Sequence, residues 1–147
     1  MFRFETLNKD NEKEALKLSV CESQKEYIET FFEALNQKLT NAYQMAWEIK
    51  LIYKNQTLIG YVMFALNPTN DLWIDHYMID CKYQGQGYGY HAFEALLQFL
   101  KNEFPTIKQC YLSIKPNNLK AIRLYEKLGF SNTHLYDKDE VVYIIKL

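Results

Sequence analysis

A chain of 147 residues, 48% of them hydrophobic, fits one domain over residues 1–147 with a sizeable core of its own. Its formal net charge of -1 supplies no overall pull toward nucleic acid or an anionic membrane, so neither is expected as a partner. The N-terminus, Met1-Phe2-Arg3-Phe4-Glu5, lacks the apolar core of a signal peptide, and no run approaches the ~20 apolar residues of a bilayer span, so the expected location is cytoplasmic.

Cys21, Cys81 and Cys110 are odd in number, far apart and outside any C-x-x-C pair. Reduced thiols are therefore expected, with neither a disulfide framework nor a bound metal.

Phe2 to Leu7 alternates aromatic and polar residues as a half-buried strand does, and Asn8-Lys9-Asp10-Asn11 breaks the pattern. Glu12 to about Leu39 is rich in helix formers and predicts two helices with an interruption near Val20 to Ser23. Ala46 to Tyr53 and Thr57 to Leu66 are β-prone runs separated by Lys54-Asn55-Gln56, a hairpin pattern. A further strand is expected from about Leu72 to Ile79. After a glycine-rich turn, Phe93, Leu96, Leu97 and Leu100 recur at helical spacing. Gln109 to Lys115 reads as a strand stopped by Pro116. Ala121, Leu124, Tyr125 and Leu128 repeat the helical spacing before Gly129 ends the helix. Phe130 onward returns to β, with Asp137-Lys138-Asp139 as a turn before the β-rich tail Glu140 to Leu147.

The turn Gln84-Gly85-Gln86-Gly87-Tyr88-Gly89 joins a strand to a long helix. Such a turn aims several backbone N–H groups one way, where the helix dipole favours negative charge, and glycines let a phosphate come close. Three alternating glycines are also what a tight turn needs for itself. The run lacks the G-K-[ST] ending of a Walker A loop and misplaces the third glycine of a dinucleotide motif, which disfavours nucleoside triphosphate and NAD.

Gln84, Gly87 and Gly89 resemble the [RQ]-x-x-G-x-[GA] motif of the GNAT N-acetyltransferases, and Pro116 to Phe130 matches their P-x-N-x-x-A-x-x-L-Y-E-x-x-G-F motif throughout. Leu16 to Gln24 and Met78 to Gln84 are similar to bacterial spermine/spermidine acetyltransferases of the diamine type, although Asp75 and His76 stand where those often carry an aromatic residue and an Arg. The resemblance implies an α/β fold: one GNAT-type domain, with a mixed, mostly antiparallel sheet of about seven strands flanked by about four helices. It implies acetyl-CoA as cosubstrate, held by Met78, Ile79, Gln84, Gly85, Gln86, Gly87, Tyr88, Gly89, Asn118, Lys120 and Tyr125. A homodimer is a family expectation.

The implied reaction moves an acetyl group to a primary amine, with spermidine or spermine as the preferred acceptor. A protein N-terminus, an antibiotic amine, an amino-acid derivative and a non-catalytic CoA-binding role are the alternatives. By family position, Tyr125 is the general acid toward the departing thiolate, and a backbone N–H near Met78 meets the oxyanion. Asp75 lies nine residues before Gln84, the offset of a catalytic Glu in eukaryotic relatives, and is nominated as base. His76 is the competing group, and strand alternation places the two on opposite faces. Glu22, Glu26, Glu29 and Glu33 form a helical stripe that a solvated face would also show; Glu22 and Glu26 are the candidates there for binding a cationic substrate, together with Asp75.

Overall fold

The computed structural model describes residues 1–25, 31–40 and 46–147, and the side chains at 32 and 37–40 are not among those described. Among the described residues, seven strands form one sheet: β1 (Phe2–Thr6), β2 (Glu48–Lys54), β3 (Thr57–Leu66), β4 (Leu72–Ile79), β5 (Gln109–Ile114), β6 (Ser131–Asp137) and β7 (Glu140–Lys146). The α-helices among the described residues are α1 (Glu12–Ala15), α2 (Phe31–Thr40), α3 (Tyr88–Glu103) and α4 (Leu119–Leu128). The strand order is β1-β2-β3-β4-β5-β7-β6, and every neighbouring pair is antiparallel except β4 and β5.

Both faces of the sheet are covered, and the central strand shows it: β3 is buried from Leu58 to Ala65 without alternation. On one face α3 lays down Phe93, Leu96, Leu97 and Leu100, the stripe its spacing predicts, against Ile52, Val62, Phe64, Leu72 and Ile74. Replacing Phe93 with Ala would cost about 3–5 kcal/mol, because the ring is fully buried between α3, Tyr77, Tyr125 and Phe130. On the other face Ala15, Leu18, Val20, Phe31 and Ala34 cover Leu51, Tyr53, Tyr61, Met63 and Met78.

The segment from Glu12 breaks into two helices about the expected interruption near Val20 to Ser23, and its first helix is short. Among the described residues of this segment, Glu12–Ala15 and Phe31–Thr40 are α-helical, with a 3-10 turn at Glu22–Gln24. The cause is a diversion of backbone hydrogen bonds. Ser19 N–H donates to Asp80 Oδ2 at 3.1 Å, and Cys81 N–H donates to the Ser19 carbonyl at 2.9 Å. A backbone committed to the end of β4 cannot also carry a helix ladder. The expectation of three reduced thiols is corrected at the same place: Cys21 and Cys81 form a disulfide, and Cys110 alone is free and buried. Sequence spacing gave no sign of the pair because folding, not local order, brings their Cα atoms to 4.9 Å.

Candidate active site

The turn after β4 is built around a buried carboxylate. Asp80 is 1% exposed; it accepts from Lys82 N–H at 2.9 Å through Oδ1 and from Ser19 N–H through Oδ2, while its own N–H donates to the Ile59 carbonyl at 2.7 Å. These bonds hold the 3-10 turn Cys81–Tyr83 and aim the chain into the glycines. Gly85 and Gly87 have φ of 77° and 82°, a region that side chains with a Cβ adopt at a cost. Gly87 caps α3, and Gly85, Gln86 and Gly87 are exposed, so the first N–H groups of a 16-residue helix open to solvent beside a chain without side-chain cover. The turn fits an anionic pyrophosphate.

Gln84 works from behind. Its Nε2 donates to the Ile79 carbonyl at 2.7 Å and to Gln24 Oε1 at 2.8 Å, so the side chain braces the turn. Tyr77 O–H donates to the Gly89 carbonyl at 2.8 Å, tying β4 to the first turn of α3. Tyr88 packs edge-on against Phe2.

Beyond the ladder of Leu72, Trp73 and Ile74 with Cys110, Tyr111 and Leu112, no further β4–β5 pairing occurs among the described residues, so the two parallel strands part at Asp75. A bulge sits at the same point. Ile74 and His76 pair with the consecutive residues Phe64 and Met63, which leaves Asp75 as the extra residue. The alternation argument is therefore corrected. Asp75 and His76 do not lie on opposite faces; Asp75 Oδ2 and His76 Nε2 are 2.9 Å apart. Met78, the nominated oxyanion position, is buried on β4 against the α2 side.

Tyr125 lies on the other face. α4 begins at Asn118, whose Oδ1 accepts from Ala121 N–H at 3.3 Å, and ends at Gly129 in the left-handed region. Tyr125 packs edge-on against Phe93 and Phe130 with ring centroids 5.3 and 5.6 Å away. Burial pushes its phenol well above the ordinary value of 10.0, with the Cys110 thiol adding to the effect. Burial does the same to Tyr77, which feels Tyr125 nearby, and to the Cys110 thiol. Tyr125 therefore stays protonated at neutral pH. Lys120 is exposed on the first turn of α4, and Asn118 is occupied as its cap.

Asp75 and Tyr125 thus approach the sheet from opposite faces. A substrate that reaches both passes through the opening between β4 and β5, a passage suited to a narrow chain. Beside this opening lie groups that sequence reasoning did not single out for the site. Trp73 stacks on Tyr111 at 4.9 Å and 17° across the β4–β5 ladder, and Ser113, two residues on along β5, donates through Oγ to Glu140 Oε1 at 2.7 Å. Alternation along β5 places Tyr111 and Ser113 on one face. Neither Trp73 nor Glu140 stands in a motif, and only the pairing of β5 with β7 brings Glu140 alongside. Glu22, by contrast, is 88% exposed and paired with Lys25, a solvated surface pair, and Glu26 lies outside the described residues.

The sequence matches the Acetyltransferase (GNAT) family over residues 12–130. It is 37% identical over 128 residues, 82% of each chain, to a spermine/spermidine N(1)-acetyltransferase of Bacillus subtilis strain 168, and equally to a probable spermine N(1)-acetyltransferase of Bacillus subtilis subsp. natto. Among solved structures, spermidine N-acetyltransferase from Vibrio cholerae in complex with CoA and spermine shares the fold with a TM-score of 0.73 at 18% identity, covering 99% of this chain and 95% of that one. An aminoglycoside acetyltransferase bound to coenzyme A does so with a TM-score of 0.80 at 17% identity, covering 99% and 95%.

Proposed function

The chain belongs to the GNAT acetyltransferase family and is an acetyl-CoA-dependent N-acetyltransferase, and from that premise we propose that its acceptor is a terminal amine of a polyamine such as spermidine or spermine. The observation that carries the acceptor is the agreement between the spermine/spermidine relatives and the groups at the opening: two carboxylates, Asp75 and Glu140, with the Trp73–Tyr111 stack nearby. A flexible polycation is recognised by negative charge and aromatic faces.

An aliphatic amine has a pKa of about 10.4, so presenting it unprotonated at pH 7 costs roughly 4–5 kcal/mol, and a base at the opening offsets part of this. Asp75 takes one proton from the ammonium group. The neutral amine attacks the thioester carbonyl, the C–N bond forms, and the backbone N–H at Met78 meets the oxyanion. As the C–S bond breaks, Tyr125 gives its proton to the thiolate, and the new amide nitrogen sheds the proton that restores the phenol. The balance is one ammonium and one thioester to one amide, one thiol and one proton. The turn at Gly85 to Gly89 holds the pyrophosphate, and the opening at Asp75 lets the thioester arm cross the sheet.

Thiol release from acetyl-CoA with a panel of amines tests the reading. Spermidine and spermine are expected to exceed a monoamine of similar length by at least about tenfold in kcat/KM. Equal rates across the panel remove the polyamine assignment, and a Tyr125→Phe variant with wild-type kcat removes the general acid.

A further inference from the structure

We infer that His76 is a positioning residue: its imidazole, backed by Tyr61, fixes the Asp75 carboxylate in the attitude in which it receives the proton of the amine. The inference rests on Asp75 as the base and goes beyond it to the device that orients it.

Three observations carry it. The bulge at Asp75 brings two neighbouring side chains onto one side of the strand, so that a carboxylate at the parting of β4 and β5 meets an imidazole at 2.9 Å. The exposures then divide the roles. The His76 side chain is 4% exposed and Asp75 is 33% exposed, so the carboxylate can meet an incoming amine while the imidazole stays behind it. The ring itself is held. Tyr61 on β3 is fully buried, its hydroxyl is 3.4 Å from His76 Nδ1, and Phe31 of α2 packs edge-on against the Tyr61 ring at 5.2 Å.

The hydrogen-bond logic follows from what each group can do. A carboxylate only accepts, so Nε2 of a neutral imidazole carries the proton toward Asp75, and Nδ1 is left to accept from the Tyr61 hydroxyl. The sequence Tyr61 O–H to Nδ1, Nε2–H to Asp75 runs from the covered core to the opening. It fixes the tautomer, and with it the direction of the carboxylate lone pairs that the amine uses. A misdirected base raises the barrier without loosening cosubstrate binding, because the phosphate turn is a separate element.

The experiment compares His76→Leu with His76→Gln by steady-state kinetics at saturating amine and acetyl-CoA. The Gln amide nitrogen reaches the position of Nε2 and donates as it does, whereas Leu fills the space and donates nothing. If His76 positions Asp75, Leu lowers kcat by about 10- to 100-fold while Gln keeps it within about threefold of wild type, both with unchanged KM for acetyl-CoA. A packing role gives the reverse order, since an apolar side chain suits a buried site better than an amide; Leu equal to or better than Gln overturns the inference. Asp75→Asn, measured alongside, separates the two readings. A kcat loss there with Leu no worse than Gln removes the positioning role alone, and wild-type kcat in Asp75→Asn removes the base and this inference with it. Should the Leu variant fail to bind acetyl-CoA in a titration, Tyr61→Phe carries the test, because it keeps the ring and removes only the hydroxyl: a several-fold loss of kcat at unchanged acetyl-CoA KM supports the role, and unchanged kcat overturns it.

Discussion

Cys21 and Cys81 are joined across 60 residues of sequence, and the bond ties the segment after α1 to the turn that precedes the glycines. It does not act alone, because Ser19 bonds to Asp80 and Cys81, and Gln24 to Gln84, across the same seam.

The first prediction concerns this seam. Denatured without reductant, the chain should show one reactive thiol, Cys110, and after reduction three. A loop of that length makes the crosslink worth up to about 4 kcal/mol in the chain-entropy account, so Cys21→Ser should lower the denaturation midpoint clearly. The surviving hydrogen bonds should keep the Cys21→Ser protein folded. Three reactive thiols in the unreduced, denatured chain, or an unchanged midpoint, would contradict the assignment.

The second concerns the glycine turn. Gly87→Ala places a Cβ at a φ of 82°, at a cost of about 1–2 kcal/mol, whereas Gly87→Asn keeps a residue that tolerates this region. Acetyl-CoA KM should rise more for Ala than for Asn. Gly89 lies inside α3 with no positive φ, and a Cβ there would only touch Leu124 at 4.0 Å. Gly89→Ala should therefore hold or gain stability and leave acetyl-CoA KM within about twofold, in keeping with a motif position that takes Gly or Ala; a KM rise as large as that of Gly87→Ala would contradict this.

The strands, the two long helices and the glycine turn were legible because each rests on local pattern. Thr57 to Leu66 and Leu72 to Ile79 end where the residue runs end, and α3 buries the stripe that its spacing shows. What was hidden depends on register. The bulge that joins Asp75 to His76 is a one-residue slip of β4 against β3, invisible to a period of two read along one strand. Glu140 comes alongside Ser113, beside the opening, only through the pairing of β5 with β7. The interruption near Val20 to Ser23 was expected from the sequence, but not its anchor, Asp80, which lies 61 residues beyond Ser19.

A third prediction follows from Glu140. Glu140→Gln preserves an oxygen that can accept from Ser113 and removes one negative charge, so folding should be little affected. The KM for spermine should rise about three- to tenfold, by the loss of one partly solvated attraction of about 1 kcal/mol, and the rise should shrink as salt is added. A monoamine should show less change. Equal effects on both would mean that Glu140 does not read the distal charge.

The fourth prediction is an alkaline loss of stability. Cys110, Tyr77 and Tyr125 are all held neutral by burial, with folded values raised above their ordinary 9.0 and 10.0. Below pH 9 both the folded and unfolded chains keep these protons, and the groups add no pH dependence. Above pH 9 the unfolded chain loses the Cys110 proton while the folded chain keeps it, and above pH 10 the two phenols join. The unfolded state then binds fewer protons, so unfolding free energy falls with pH by about 1.4 kcal/mol per unit for each such group. The decline should steepen between pH 9 and 11 and continue until the folded chain itself ionises. Tyr125→Phe removes one of the three contributions and should flatten the slope above pH 10 by about a third of their sum, measured by urea unfolding at stepped pH. An unchanged slope in that variant would mean that the Tyr125 hydroxyl is not the desolvated group placed between Phe93, Phe130 and Cys110.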